Sequence, residues 1–496
     1  MKGTPQEDDQ PEKSTNVSLA PWSIGLDAAR VTGLYWTGLG AYYRDFLLPA
    51  AKAWLYFQET ERNNLPKESL EQTIRDYGRL FQRNLDLAQE AWDKPARRAL
   101  EYHAAEFERF SSSLNDYLTG ANGERLQAYM AELAATMHRL VIDFPEAIKD
   151  ISKEYGFHFD SGGYAHVAQT DRMDLYQVLP SDPGVEVNEA GKPILIAHPY
   201  VLGSNILAFL PGEKRSYVHA FANQGIPTYV RIIKDISDHP PVQTMTGEDD
   251  ALDTARFCRI LMEKHGKPVT LNGVCQGGFL VLAGLLSGKL GGLVDALITC
   301  ASPVDGTRSR GLREYLHSIA PRFRSLGYST KTLPNGNRVV DGHVMSWVYK
   351  LKSLDREAPL AIFYRDMAMT GNLVRKGVKG ISKMAAAVNR WLIYDRTDLP
   401  VEITKMSSLS YSEPISPDGE LPVKLFGRAL NLRYISDNNI RYLICYGARD
   451  DLVEPPSALA PRDFIAVEAT EFPKGHAAIL TSWSHPDSAL KTCLKP

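Results

Sequence analysis

The chain has 496 residues, a formal net charge of -3 and 23% charged residues. That length allows one large domain with an appendage, or two domains, and the near-neutral balance gives no electrostatic reason to expect nucleic acid. No uninterrupted apolar run is long enough to span a bilayer. Five cysteines stand at 258, 275, 300, 445 and 493 without a C-x-x-C pair or zinc spacing. Free thiols in a reducing, cytoplasmic setting follow, with no metal and no bound cofactor expected.

Residues Met1 to Asn16 are polar and rich in Glu, Asp, Lys and Pro. They have neither the apolar core of a signal peptide nor an Arg-rich amphipathic pattern, and 1–24 reads as a disordered tail. Residues 25–160 read as helical. One apolar stripe runs through Ile74, Tyr77, Phe81, Leu85, Ala88 and Trp92 at spacings of three and four. A second takes Phe107, Phe110, Leu114, Tyr117 and Leu118. After the break at Gly120 to Gly123, a third takes Leu126, Met130, Leu133, Met137, Leu140 and Phe144, with Pro145 interrupting it. Such stripes serve either a helical bundle or an interface for a homodimer, a partner or an apolar particle.

From about 190 short strands alternate with helices. Pro193–Ala197 and Thr228–Ile233 read as strands, with Arg215–Gln224 as a helix between them. Leu252–Lys264 reads as a helix, Pro268–Leu271 as a strand, Phe279–Leu286 as a buried helix and Asp295–Ala301 as a strand. Later strands are expected at 440–446 and 464–468. The alternation predicts an α/β fold, a mostly parallel sheet covered by helices on both faces. Its core would take 185–302 and 435–496, and the long gap between would be an inserted, largely helical cap over 303–434.

The chemistry centres on Gly273-Val274-Cys275-Gln276-Gly277-Gly278. The spacing is that of a nucleophile elbow, G-x-Nu-x-G, with cysteine as nucleophile. A strand must turn sharply into a helix there, so the neighbours two residues away must lack bulk. In α/β-hydrolase folds the acid and then the histidine follow the nucleophile along the chain. The strand at 440–446 runs into Arg449-Asp450-Asp451-Leu452-Val453, which offers Asp450 and Asp451, and Asp450 lies nearer the strand end. Lys474-Gly475-His476 then offers the histidine, with His485 as the other choice. A thiol with a pKa of about 8.5 needs a neighbouring base, and the carboxylate holds the imidazole in the required tautomer. Backbone donors for an oxyanion are expected at Gln276 and, from the loop after the first strand, at Tyr200 and Val201.

The elbow resembles the lipase-like box of polyhydroxyalkanoate synthases, which carry cysteine in place of serine. Other segments are similar to that family. They are His198-Pro199-Tyr200 after the strand at 193–196, Asp395-Arg396-Thr397-Asp398-Leu399-Pro400, Gly427 to Leu432, Arg449 to Val453 and Lys474-Gly475-His476. The likeness spans roughly 190–480. It departs at Asp451, at His198-Pro199-Tyr200, at Ile393 and Tyr394, and past His476. The resemblance implies an α/β-hydrolase fold and an acyltransferase with Cys275, Asp450 and His476 as catalytic residues. Such an enzyme takes 3-hydroxyacyl groups from a coenzyme A thioester, which is a substrate rather than a cofactor, and passes them to a growing polyester at a granule surface. Two other expectations stand beside it: a cysteine-dependent thioesterase or ester hydrolase, and a non-catalytic granule-associated protein binding through 25–155.

Overall fold

The computed structural model describes residues 20–65, 69–120 and 123–476. The tail up to residue 19, His485 and Cys493 lie outside the described residues. The first helix, α1, is Ala20–Asn64, so residues 20–24 are helical where the composition predicts tail. Helix α2 is Leu70–Leu118 and α3 is Gly123–His138. A π turn over Arg139–Asp143 leads directly into α4, Phe144–Asp150. Pro145 therefore does not end the helical path; it stands in the first turn of α4, where a missing N–H is tolerated. None of the described helices is long and apolar enough to cross a membrane.

The chain forms two compact units. The first combines the described residues up to Tyr42 with Pro95–Pro145 and Pro359–Gly380. Its core holds Met137, Leu140, Phe363, Tyr364 and Met367. The Tyr364 hydroxyl there meets both Tyr35 at 2.5 Å and His103 at 2.6 Å. Leu126, Met130, Met137 and Leu140 are buried, as the third stripe predicts.

The second unit contains the sheet. Its strands are β1 Tyr164–Gln169, β2 Met173–Val178, β3 Ile194–Ala197, β4 Thr228–Ile233, β5 Val269–Val274 and β6 Val294–Cys300, then β12 Arg441–Gly447 and β13 Glu468–Phe472. They lie in the order β1-β2-β4-β3-β5-β6-β12-β13. Every pairing is parallel except the two made by β2, so β2 alone runs against the rest. This order, with an antiparallel second strand, is the α/β-hydrolase fold. Central strands β3 and β5 are buried along their whole length, as befits a sheet covered on both faces. Helices α5 Tyr217–Ala222, α6 Pro240–Gln243, α7 Gly247–His265 and α8 Gln276–Leu286 connect them. Thr246 and Asp249 form a reciprocal capping box at the start of α7, and Gly266 closes it at a φ of 63°.

Three expectations differ from this architecture. The final strand is Glu468–Phe472, not 464–468, because Pro461 opens a 3-10 turn over Ala460–Asp463 and Phe464 remains in a helical conformation. Ile465 is buried from that turn, so the apolar run reflects packing rather than a strand. The pair β1 and β2 precedes the first strand expected from the sequence. The region 303–434 holds helices α9 Arg310–Ser318, α10 Gly342–Leu351, α11 Leu354–Glu357, α12 Pro359–Arg375, α13 Lys383–Tyr394 and α14 Val401–Ser412. It also holds a three-stranded sheet of β7 Thr330–Thr332, β8 Arg338–Val340 and β9 Leu399–Pro400, and a hairpin of β10 Glu420–Leu425 with β11 Arg428–Asn431. A Pro-Asn-Gly turn, with Gly336 at φ 87°, joins β7 to β8.

A buried ion pair braces the edge of the sheet that carries the loops. Arg231 at the end of β4 donates to Asp250 of α7 at 2.8 Å and to Thr254 at 2.6 Å, and the Tyr200 hydroxyl donates to the same carboxylate. Both charged side chains are almost wholly buried. Removing one partner of such a pair leaves an uncompensated charge, which costs about 3–5 kcal/mol. Asp250→Ala is expected to lower the unfolding free energy by about that amount, read from the urea midpoint; a loss below about 1 kcal/mol would contradict this role.

Candidate active site

Strand β5 ends at Val274, and the next residue makes the turn. Cys275 has φ 51° and ψ -125°, a strained conformation for a residue with a Cβ. Three glycines make the turn possible. A Cβ on Gly273 would lie 2.4 Å from the Gly278 Cα, one on Gly277 would lie 2.3 Å from the His198 carbonyl oxygen, and one on Gly278 would lie 1.9 Å from the Ser302 Oγ. The second contact shows that the loop after β3 passes directly against the elbow.

Asp450 and His476 come from the ends of β12 and β13, which pair in parallel from Leu443 with Glu468 to Gly447 with Phe472. Beyond the strands the two loops stay joined, since Ala448 N–H donates to the Phe472 carbonyl at 2.8 Å and Arg449 N–H to the Lys474 carbonyl at 3.1 Å. Gly447 is needed here, because a Cβ would fall 2.5 Å from the Lys474 carbonyl. The Asp450 Oδ1 accepts from Leu452 N–H at 3.0 Å and Val453 N–H at 2.8 Å. Its Oδ2 accepts from His476 Nδ1 at 2.7 Å. Asp451, the other acid, is exposed and faces Arg356 at 3.3 Å.

The Cys275 sulfur acts electrostatically on the same imidazole. Burial opposes a charge on His476, but the Asp450 carboxylate and the Cys275 sulfur outweigh it and hold the imidazole well above its ordinary value. The ring is thus held by the acid, with its protonated form favoured.

The remaining expected residues divide. Gln276 opens α8, so its N–H has no acceptor within the helix. Its side chain reaches the Ser407 hydroxyl of α14 at 2.6 Å. Tyr200 and Val201 are buried in the loop after β3. The Tyr200 side chain turns to Asp250, leaving only its backbone for the site, and its carbonyl accepts from the Thr397 hydroxyl at 2.9 Å. His198 fixes the start of this loop: its Nε2 accepts from Ile233 N–H at 3.3 Å and its Nδ1 donates to the Pro199 carbonyl at 2.8 Å. Burial depresses its pKa to about 4, so it stays neutral and structural.

Residues of 303–434 that the sequence did not single out also meet the site. Burial raises the phenols of Tyr349 of α10 and Tyr411 of α14; Cys275 adds to this at Tyr349, and Tyr349 and then Cys275 add to it at Tyr411. Tyr411 packs flat on Gly306, where a Cβ would fall 2.2 Å from the ring. Lys352 donates to the Asp451 carbonyl. The end of α13 is tied to the β3 loop, since Trp391 donates to the Leu202 carbonyl at 3.0 Å, and the next residue after the helix, Asp395, accepts from Tyr155 at 2.7 Å. No motif marks Tyr349 or Tyr411, because tyrosines on amphipathic helices read first as packing.

The fold and the geometry define the class: an α/β-hydrolase fold whose elbow, acid and histidine lie at one edge of the sheet. No protein-family model matches the chain, and no curated protein sequence does. Among solved structures, a naproxen esterase (carboxylesterase NP) from Bacillus subtilis is 11% identical with a TM-score of 0.34, over 71% of this chain and 96% of that one. The thioesterase domain from a curacin biosynthetic pathway is 12% identical with a TM-score of 0.36, over 66% and 99%. A putative aryl esterase from Burkholderia cenocepacia is 14% identical with a TM-score of 0.32, over 66% and 95%.

A histidine whose folded pKa is raised contributes stability in full below its unfolded value, about 6.5, and loses it as the pH rises through the folded value. Replacing Asp450 by Asn removes the main opposing charge, so the His476 midpoint is expected to fall. NMR titration of the imidazole nitrogens checks this; an unchanged midpoint in Asp450→Asn would contradict the electrostatic account.

Proposed function

We propose that the protein is an acyltransferase that works through a thioester on Cys275. The observation that supports this reading is the 2.7 Å hydrogen bond between His476 and Asp450, on loops leaving the same end of the parallel strands as the strained Cys275 elbow. In the reaction the sulfur attacks the carbonyl carbon of an acyl thioester, and the oxyanion is held by backbone N–H donors, with Gln276 as the first and the Tyr200–Val201 loop as the source of the second. The carbon–sulfur bond to the leaving thiol breaks, and that thiol takes its proton from His476. The acyl group now sits on Cys275. An acceptor hydroxyl then gives its proton to His476, attacks the same carbon and releases Cys275.

Cysteine suits this sequence of steps. Exchange between two thioesters is nearly neutral in energy, so the acyl-enzyme keeps its activation for the second transfer. The resemblance of the elbow, the Asp395–Pro400 segment and the acid and histidine loops to polyhydroxyalkanoate synthases supports 3-hydroxyacyl-CoA as donor and a polyester hydroxyl as acceptor. The same three residues also serve hydrolysis when water takes the place of the hydroxyl, giving a thioesterase or ester hydrolase.

Incubation of the purified protein with 3-hydroxybutyryl-CoA is expected to release free CoA, read with a thiol reagent, and to yield an oligomeric or polymeric ester. Cys275→Ala is expected to reduce release by at least a thousandfold. Free hydroxyacid as the sole product would favour the hydrolase reading, and undiminished turnover in Cys275→Ala would eliminate both.

A further inference from the structure

Within the second compact unit, the loop that follows β3 is fastened by the stretch from Trp391 to Thr397, at and just after the end of α13. Gly203 N–H donates to the Tyr200 carbonyl at 3.4 Å and closes a tight turn, with Gly203 at a φ of 67°. Two carbonyls of that turn are held from outside it. Thr397 Oγ1 donates to the Tyr200 carbonyl at 2.9 Å, and Trp391 Nε1 donates to the Leu202 carbonyl at 3.0 Å. A Cβ on Gly203 would lie 3.6 Å from the Asp395 Cβ, so the two stretches are in contact. Thr397 is itself fixed. A Cβ on Gly342 would fall 2.0 Å from the Thr397 carbonyl oxygen, Gly342 N–H donates to Asp398 at 3.2 Å, and Lys331 pairs with Asp398 at 2.6 Å.

The Thr397 bond has a directional consequence. A trans peptide is planar, and its C=O and N–H point opposite ways. With its carbonyl held by both Gly203 and Thr397, the Tyr200–Val201 peptide presents its N–H away from the turn. Val201 is buried, and among the described residues nothing accepts from that N–H. A buried N–H without an acceptor is costly and uncommon. The Gln276 N–H at the start of α8 is likewise without an acceptor among the described residues. These two donors belong to stretches that touch, since a Cβ on Gly277 would lie 2.3 Å from the His198 carbonyl oxygen. The Thr397 residue is exposed, so its hydroxyl serves the carbonyl rather than a packed core.

We propose that Thr397 is a positioning residue for acyl transfer: its hydroxyl locks the Tyr200–Val201 peptide so that Val201 N–H, together with Gln276 N–H, receives the oxyanion formed when Cys275 attacks. This role rests on the acyl-transfer reading and names the second donor and the group that aims it. As the sulfur–carbon bond forms, the carbonyl π pair moves onto oxygen; it returns when the leaving thiol departs. A donor already aimed at that oxygen needs no reorganisation while the charge develops. Thr397 itself touches no reacting atom.

Single-turnover acylation of the full-length protein by 3-hydroxybutyryl-CoA tests this. Thr397→Val removes the hydroxyl at nearly constant volume, and Thr397→Ser keeps it. Loss of an oxyanion donor slows the chemical step by about 10²–10³, and a donor present but poorly aimed is expected to slow acylation about 10- to 100-fold in Thr397→Val. The fall is expected in the maximal rate, with half-saturation little changed. Thr397→Ser is expected to stay within about threefold of the wild type. Alkylation of Cys275 by iodoacetamide separates this role from a merely structural one. It is a displacement at a saturated carbon and forms no oxyanion, so both variants are expected to alkylate at the wild-type rate. Acylation in Thr397→Val within about twofold of the wild type, an equal fall in acylation and alkylation, or a serine variant as slow as the valine variant would overturn this role and leave the acyl-transfer reading in place. A wild type that never acylates Cys275 would instead overturn that reading, and this role with it.

Discussion

One imidazole has to meet two partners that arrive from distant parts of the chain. His476 lies 26 residues beyond Asp450 and far beyond Cys275, yet its Nδ1 donates to the Asp450 carboxylate at 2.7 Å and the Cys275 sulfur bears on its charge. The sheet makes this meeting possible. Strands β12 and β13 run side by side and in the same direction, so their loops emerge together; β6 lies between β12 and the elbow strand β5 and runs parallel to both. An antiparallel β13 would have sent His476 to the opposite edge. The direction and order of four strands are therefore part of the chemistry of the site.

Close backbone approach is the second requirement. Gly277 and Gly278 let α8 start directly beneath the carbonyl of His198 and the side chain of Ser302, and Gly447 lets the histidine loop cross the acid loop. The strain at Cys275 persists because its surroundings fix it. Its N–H donates to the Cys300 carbonyl at 2.8 Å, and its carbonyl accepts from Gly278 and Phe279. Behind the β3 loop, the neutral His198 and the Arg231–Asp250 pair supply rigidity without facing the reacting atoms. Charge in this support is fully compensated, Arg231 against Asp250.

The sequence was most readable where one residue type answers one geometric need. The G-x-C-x-G elbow, the acid at the end of β12 and the histidine after Gly475 each have such a cause, and the alternating apolar runs from 190 to 300 gave the strands to within a residue or two, with the elbow strand extended to Val274. Readability failed where tertiary context decides. The run at 464–468 is apolar because Ile465 packs from a turn, a pattern no strand template separates from a buried strand. Strands β7 to β9 are two or three residues each, too short to show a period. Tyr349 and Tyr411 come under the influence of Cys275 only after long stretches of chain have folded around it. The stripe from Ile74 to Trp92 was clear, but its exposure was not, because amphipathic periodicity says that a face needs covering and not what covers it.

The account rests on covalent acyl transfer to a single sulfur. Intact-protein and peptide mass spectrometry after rapid mixing with 3-hydroxybutyryl-CoA and acid quenching tests this most directly. It predicts an added mass of one or more hydroxybutyryl units confined to the peptide carrying Cys275. An adduct on another residue, or turnover with no adduct on Cys275 at any quench time, would contradict it.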